Sequence, residues 1–200
     1  MAKDMREQIL TEALIELNLY GADFHMDDLA RRLRISKRTL YQHFTSKQKI
    51  VEEAILSAMT DVYQKHLAML NDTSLTAEEK IMGFFTVRSK YEKVIEVCSV
   101  RQMSDVFLKM PEVGEHLLAY HERDWAVMDE ILDELKASNG FIDFDKPLLM
   151  HMLRSAAEDV LEYINDVDRD YSFPAYMKKC LTIILYGIKD RRQITNGTET

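Results

Sequence analysis

The sequence predicts an all-α protein, and three observations carry that expectation. Apolar residues recur at three- and four-residue spacing along the chain, the period of a helix face. Breakers are scarce, with three prolines and six glycines in 200 residues. Helix start and stop signals fall between the periodic stretches: Gly21, Ser36, the Thr76–Glu79 pair, Asn139-Gly140 and Asp145 with Pro147.

Residues 4 to 20 form the first expected helix. Met5, Ile9, Ala13 and Leu17 recur at i+4 with Leu10 and Leu14 beside them, and Gly21 is its C-cap. Lys3 and Arg6 are within reach of a phosphate backbone, or solvated. Met26, Leu29, Ala30 and Leu33 then share one face of a short second helix, Ile35 packs into a turn, and Ser36 caps a third from Lys37 to Phe44. Leu40 and Phe44 face inward on it. A long helix follows from Ser46 to about Leu70, with Val51, Ile55, Ala58, Val62 and Leu67 as its stripe. After a polar break, Thr76 and Glu79 form a capping box for a helix over about 76–97, whose inner face is Ile81, Phe84, Phe85, Arg88, Tyr91 and Ile95. A shorter helix over Val100–Leu108 ends near Met110-Pro111. The next runs to about Ala137 with Leu118, His121, Trp125, Met128, Leu132 and Leu135 on one side. Two final helices, opening near Asp145 and Ser172, carry broad apolar faces. These are Leu149, Met152, Leu153, Ala156, Ala157, Val160, Leu161 and Ile164, then Met177, Leu181, Ile184, Leu185 and Ile188.

The most informative stretch is Met26–Ile50. No acidic residue lies between Leu29 and Val51, while Arg31, Arg32, Arg34, Lys37, Arg38, Lys47 and Lys49 do. Residues 1–50 hold nine Lys/Arg against seven Asp/Glu, net +2, and the remainder 17 against 27, net −10. A basic head on an acidic body fits the phosphate backbone of DNA. The third helix turns Lys37, Arg38, Thr39, Tyr41, Gln42 and His43 outward, hydrogen-bonding residues suited to a major groove. Arg38 suits guanine and Gln42 adenine. Lys37 and Thr39 stand at the helix start where such motifs touch bases. Tyr41 and His43 suit phosphate, as do Lys47 and the free N–H groups of the helix it opens. Arg31 and Arg32 read as ordinary solvent-side residues.

These residues resemble the TetR family of bacterial transcriptional regulators. The match is Leu29-Ala30, Ser36, Thr39-Leu40-Tyr41, His43-Phe44 and Ser46-Lys47, with the Tyr-x-His-Phe-x-x-Lys run the most specific part. It covers about the first fifty residues. His25-Met26 departs from the small hydroxyl residue usual at the start of the second helix, and Gln48-Lys49 from the acids common there. The resemblance implies a three-helix DNA-binding domain, a helical body that binds a small-molecule effector, and a homodimer through the last two long helices. It also implies repression at a palindromic operator, relieved by the ligand.

The domain expectation is therefore 1–46 for DNA binding, 47–190 for ligand binding and dimerisation, and a disordered tail over 191–200. Candidate ligand contacts are Phe84, Arg88, His121, Trp125 and Met128. A Met- and aromatic-rich body fits an apolar ligand, and core packing explains the same residues. The structural reading of Arg88 is an internal ion pair with Glu92 or with an acid from a neighbouring helix, and that of His121 a satisfied core or interface histidine.

Other classes find little support. Cys98 and Cys180 have no metal-like companions and read as free thiols of a cytoplasmic protein. No apolar run reaches the roughly 18–20 residues of a membrane span, and MAKDMREQIL is not a signal peptide. No Glu-x-x-His, His-Glu-x-x-His, phosphate-binding loop or dinucleotide fingerprint occurs. Glu112, Glu115 and His116 read as a solvated face, so neither metal, cofactor nor catalysis is expected. The competing reading is a helical interaction protein whose basic region serves another acidic partner.

Overall fold

The computed structural model describes residues 4–91, 100–166 and 173–188, with side chains described outside 100–104 and 159–166. The chain passes through α1 (Met5–Tyr20), a 3₁₀ turn (Gly21–Asp23), α2 (Met26–Leu33), α3 (Lys37–His43), α4 (Lys47–Leu70) and α5 (Ala77–Phe84). It continues through α6 (Val100–Lys109), α7 (Pro111–Ala137), α8 (Lys146–Asp166) and α9 (Phe173–Ile188). It is all-α, as the spacing predicts. Two compact units form, Met1–Gln64 with Arg88–Arg123, and Lys65–Val87 with Asp124–Thr200.

In the first unit the apolar faces of α1, α2 and α3 meet in one core. Ile9, Ala13, Leu14, Leu17, Leu29, Leu40 and Phe44 are buried there. That core continues past residue 46 into Ile50, Val51, Ala54 and Ile55 of α4, and into Tyr91, Val106, Met110, Val113 and Leu117. The packing unit is thus larger than residues 1–46. Burying apolar side chains is the main stabilising term, about 1.5–3 kcal/mol each, and three helices of this length are too short to supply enough alone. Gly21 ends α1 at φ 60, with its N–H on the Leu17 carbonyl.

Arg6, a phosphate candidate, is used internally. Its guanidinium donates to the His43 carbonyl at 2.7 Å, pairs with Glu53 and lies 4.2 Å over the Phe44 ring. It ties α1 to the end of α3 and the start of α4. Lys3 lies outside the described residues.

The second unit is built on α5, α8, α9 and parts of α4 and α7. The capping box forms as expected. Thr76 Oγ1 accepts from Glu79 N at 3.2 Å, and Thr76 N donates to the Glu79 carboxylate at 2.8 Å. Buried Lys80 donates to the Leu70 carbonyl at 2.6 Å and to Glu134 at 2.8 Å. Ile131, Leu132, Leu135, Leu149, Leu153, Met177, Leu181 and Leu185 are buried. Asp145 caps α8 through Leu148 N at 3.0 Å.

Three expected faces need correction. The helix over 76–97 stops at Phe84, because Thr86 bonds back to the Gly83 carbonyl through both its N–H (2.9 Å) and its hydroxyl (2.6 Å), and Lys90 N turns to Asp61 at 2.6 Å. Arg88 consequently stands off the helix, not mid-face. Ile95 and the Glu92 partner lie outside the described residues. On α7 Trp125, Met128, Leu132 and Leu135 are buried as expected, but near the helix start the buried positions are Val113 and Leu117, and Leu118, one residue over, is 53% exposed. On α8, Met152 is 46% exposed while Leu149 and Leu153 are buried. Val160, Leu161 and Ile164, and the tail 191–200, lie outside the described side chains.

Candidate nucleic-acid interface

Two short helices and a turn present the site. The apolar residues of α2 bury Met26, Leu29 and Ala30, fixing the helix against α1. The chain then reverses at Arg34, the described non-glycine residue with positive φ (φ 56, ψ 37). Its N–H closes α2 onto the carbonyls of Ala30 and Arg31. The left-handed conformation costs an L-residue about 1–2 kcal/mol. Ile35 packs partly against the core. Ser36 caps α3, its hydroxyl accepting from Thr39 N at 3.0 Å and sharing a hydrogen bond with Thr39 Oγ1 at 2.8 Å. Removing such a cap costs about 1 kcal/mol.

Leu40 is fully buried and Phe44 2% exposed, and these two anchors fix which face of α3 looks out. That face carries Lys37, Arg38, Tyr41 and Gln42, all exposed, with Thr39 and His43 half-buried at its edges. The expected recognition residues are therefore brought together on one surface.

Ion pairs show which cations are available. Lys37 meets Asp27 at 3.1 Å, Arg31 meets Asp28 at 2.8 Å, and Arg32 bridges Glu16 at 3.0 Å and Glu12 at 3.4 Å. Arg32 thus stays on the solvent side, as expected, and also braces α2 to α1. Burial raises the Glu16 carboxyl above its ordinary value, against the opposing pull of Arg32. Lys49 pairs with Glu52 at 2.9 Å. That bond, with one from His116 at 2.7 Å, holds the Glu52 carboxyl below the usual range. Exposed pairs such as Lys37–Asp27 are worth only about 0–1 kcal/mol, so a phosphate can replace the acid at little cost. Among the described Lys and Arg side chains of residues 4–50, Arg34 and Arg38 hold no acid, carbonyl or ring.

Lys47 departs from expectation. Its ammonium donates to the Ala22 and Phe24 carbonyls, both at 2.6 Å, and sits 4.4 Å over the Phe24 ring. Burial pulls its pKa down. It fastens α4 to the turn before α2 instead of reaching outward, and Ser46 caps α4 through Lys49 N at 3.1 Å.

The ligand candidates divide between the units. Arg88 and His121 belong to the first; Phe84, Trp125 and Met128 belong to the second and are buried. There the rings of Phe84 and Trp125 lie 6.4 Å apart, Phe85 stands 5.9 Å from Trp125, and the Arg154 guanidinium lies 5.1 Å over the indole. Sequence reasoning missed His66, which stacks on Phe84 at 3.7 Å and bonds Asp124 at 2.7 Å and the Phe84 carbonyl at 2.9 Å. Its signal was present: His66 follows Val62 by four residues in the apolar stripe of α4.

A capped helix held outward by two buried anchors, preceded by a bracing helix and a tight turn, defines a helix-turn-helix DNA-binding protein. Residues 9–54 match the profile described as bacterial regulatory proteins, tetR family. A helix-turn-helix-type transcriptional regulator, YvaF of Bacillus subtilis strain 168, is 22% identical over 184 residues, spanning 92% of this chain and 95% of its own. The fold is shared with the TetR-family regulator PfmR of Thermus thermophilus (TM-score 0.70, 22% identity, 89% of this chain and 97% of that one). It is shared too with a transcriptional regulator of Saccharomonospora viridis in complex with choline (TM-score 0.75, 18% identity, 93% and 98%). Over residues 9–54 the chain thus carries a match to the amino-terminal domain of tetR-family regulators, and the relatives that span most of its length are similar to it as transcriptional regulators of the same fold. No described helix is long and apolar enough to cross a membrane.

Proposed function

We propose that the chain is a homodimeric repressor that holds a palindromic operator and lets it go when a small apolar ligand binds the body. The acid-free outward face of α3, set by buried Leu40 and Phe44, carries the reading. Residues up to about 46 make the contacts with DNA, in the cytoplasm, and the rest of the chain binds ligand and dimerises. Arg38 and Gln42 read bases, with Lys37 and Thr39 beside them at the helix start; Tyr41 and His43 hold the backbone; Ser36 caps the helix.

For the dimer we assign α8 and α9. Leu148, Met152, Ile183 and Tyr186 are 55%, 46%, 75% and 61% exposed, and a cleft of about 360 Å³ lined by apolar residues of both helices lies among them. Two copies paired there give two recognition helices for half-sites about 34 Å apart. For the ligand we assign the buried aromatic group of Phe84 and Trp125, together with buried Met128. His121 stays a candidate; Arg88 loses its basis as an inward anchor. The ligand must favour the DNA-incompetent state, and a shift from 1:99 to 99:1 requires about 10⁴-fold preference.

Selection of sites from random duplex DNA with the purified chain tests the repressor reading. The expected result is a palindrome bound by two copies. Ile183→Glu is expected to yield a folded monomer by sedimentation that binds the palindrome weakly. A selected site without two-fold symmetry, or no selection at all, overturns the reading.

A further inference from the structure

We infer that Arg34, in the turn ahead of α3, grips a backbone phosphate of the duplex that α3 enters. This rests on the proposed function.

Conformation is the first observation. Arg34 sits at φ 56, where glycine is at ease and an L-residue is strained. The fold needs this backbone shape, since the Arg34 N–H closes α2 onto Ala30 and Arg31. It does not need an arginine side chain to obtain it. Nothing in the packing asks for one either: the side chain is exposed and contacts no acid, carbonyl or ring among the described residues. Strain kept at an exposed position points to use in a complex.

Charge is the second. The neighbouring cations Arg31, Arg32 and Lys37 are each engaged by acids, whereas Arg34 and Arg38 are not. A strongly hydrogen-bonding fork without an acid, inside an acid-free window, is matched to a phosphate.

Position is the third. Arg34 lies two residues before the Ser36 cap and four before Arg38. It borders a cleft of about 290 Å³ with Gln8, Thr11, Glu12, Arg32 and Leu33, and the one carboxylate there, Glu12, already faces Arg32. The turn stands outside the helix that reads bases, so the contact fixes position and carries no sequence preference.

Arg34→Gly separates this role from folding, because it removes the cation and the strain together. Anisotropy on a random-sequence duplex and on a duplex selected from a random pool, each through a salt series, reads the outcome. The expected result is a loss of roughly three- to tenfold on both duplexes at low salt, with a salt slope shallower by about 0.9 for each bound copy. Tm should stay level or rise by up to about 4 °C. Arg34→Lys is expected to keep the slope. Unchanged affinity and slope in Arg34→Gly, while Arg38→Ala weakens binding, overturns the inference and leaves the proposed function standing. Loss confined to the selected duplex makes Arg34 a base reader and overturns it too. An unmodified chain that binds neither duplex overturns both.

Discussion

The carboxylate of Asp105 lies against Gly21: a Cβ built on that glycine would stand 2.7 Å from Asp105 Oδ2. Here α6 meets the turn that precedes α2. Lys109, one helical turn on, pairs with Asp23 of the same turn and with Asp105 at 3.5 Å. The apolar side chains behind them, Val106 and Met110, share a core with Ala22 and Phe24.

Gly21→Ala should therefore destabilise the first unit. The positive φ alone costs on the order of 1–3 kcal/mol, and Asp105 must move aside as well. For a chain of 200 residues the expected fall in Tm is about 2–12 °C. Adding Asp105→Ala relieves the crowding but not the backbone, so recovery should be partial. Full recovery in the double variant would show that the side-chain clash dominates.

Lys47→Met keeps an apolar stem near Phe24 but leaves the Ala22 and Phe24 carbonyls without their donor. An unmet buried acceptor costs about 1–3 kcal/mol. Thermal melts should show that loss, and the salt slope of DNA binding should not change. A shallower slope at constant Tm would mean that the ammonium serves phosphate after all.

Gln42→Ala and Tyr41→Ala should differ in kind. Both side chains are exposed on the same face of α3. Loss of a bidentate base contact by Gln42 relaxes preference at one position by about 1–3 kcal/mol. Loss of Tyr41 weakens every sequence alike. Binding to a panel of single-base operator variants distinguishes them, and a uniform effect from Gln42→Ala would reverse the assignment.

Acid should weaken the α4–α7 link through Glu52. Its folded pKa lies below the unfolded 4.5, chiefly because Lys49 and then His116 bond its carboxylate. Its stabilising contribution is present above pH 4.5 and is lost as pH falls through the depressed folded value. Glu52→Gln should cost about 0.5–1 kcal/mol at neutral pH and almost nothing once the wild-type carboxyl is protonated. Denaturant melts of both proteins from neutral to strongly acidic pH check this, and a constant gap across that range would contradict it.

Helix existence was legible because the period of apolar residues and the caps agreed, as at Ser36 and Thr76. The outward face of α3 was legible for the same reason: Leu40 and Phe44, one turn apart, leave no other arrangement. What periodicity cannot show is a polar side chain choosing a partner distant in sequence. Arg6, Arg32 and Lys47 looked like phosphate ligands or solvated charges, yet Glu53, Glu16 and two carbonyls hold them. The end of α5 was hidden likewise, since Thr86 and Lys90 leave the helical pattern through bonds to Gly83 and Asp61. Arg34 carried no turn signal, because neither glycine nor asparagine marks its left-handed backbone.

The stretch between α4 and α5 is closed off at each end. Lys80 seals the Leu70 carbonyl, and the Thr76–Glu79 pair seals the start of the next helix. Asp72 and Ser74 satisfy one another between them, at 2.9 and 2.6 Å. Thr73, exposed at the crest, is therefore a natural attachment point for a fluorophore. A dye there would report on the body of the protein without altering α3 or the faces of α8 and α9 proposed for self-association.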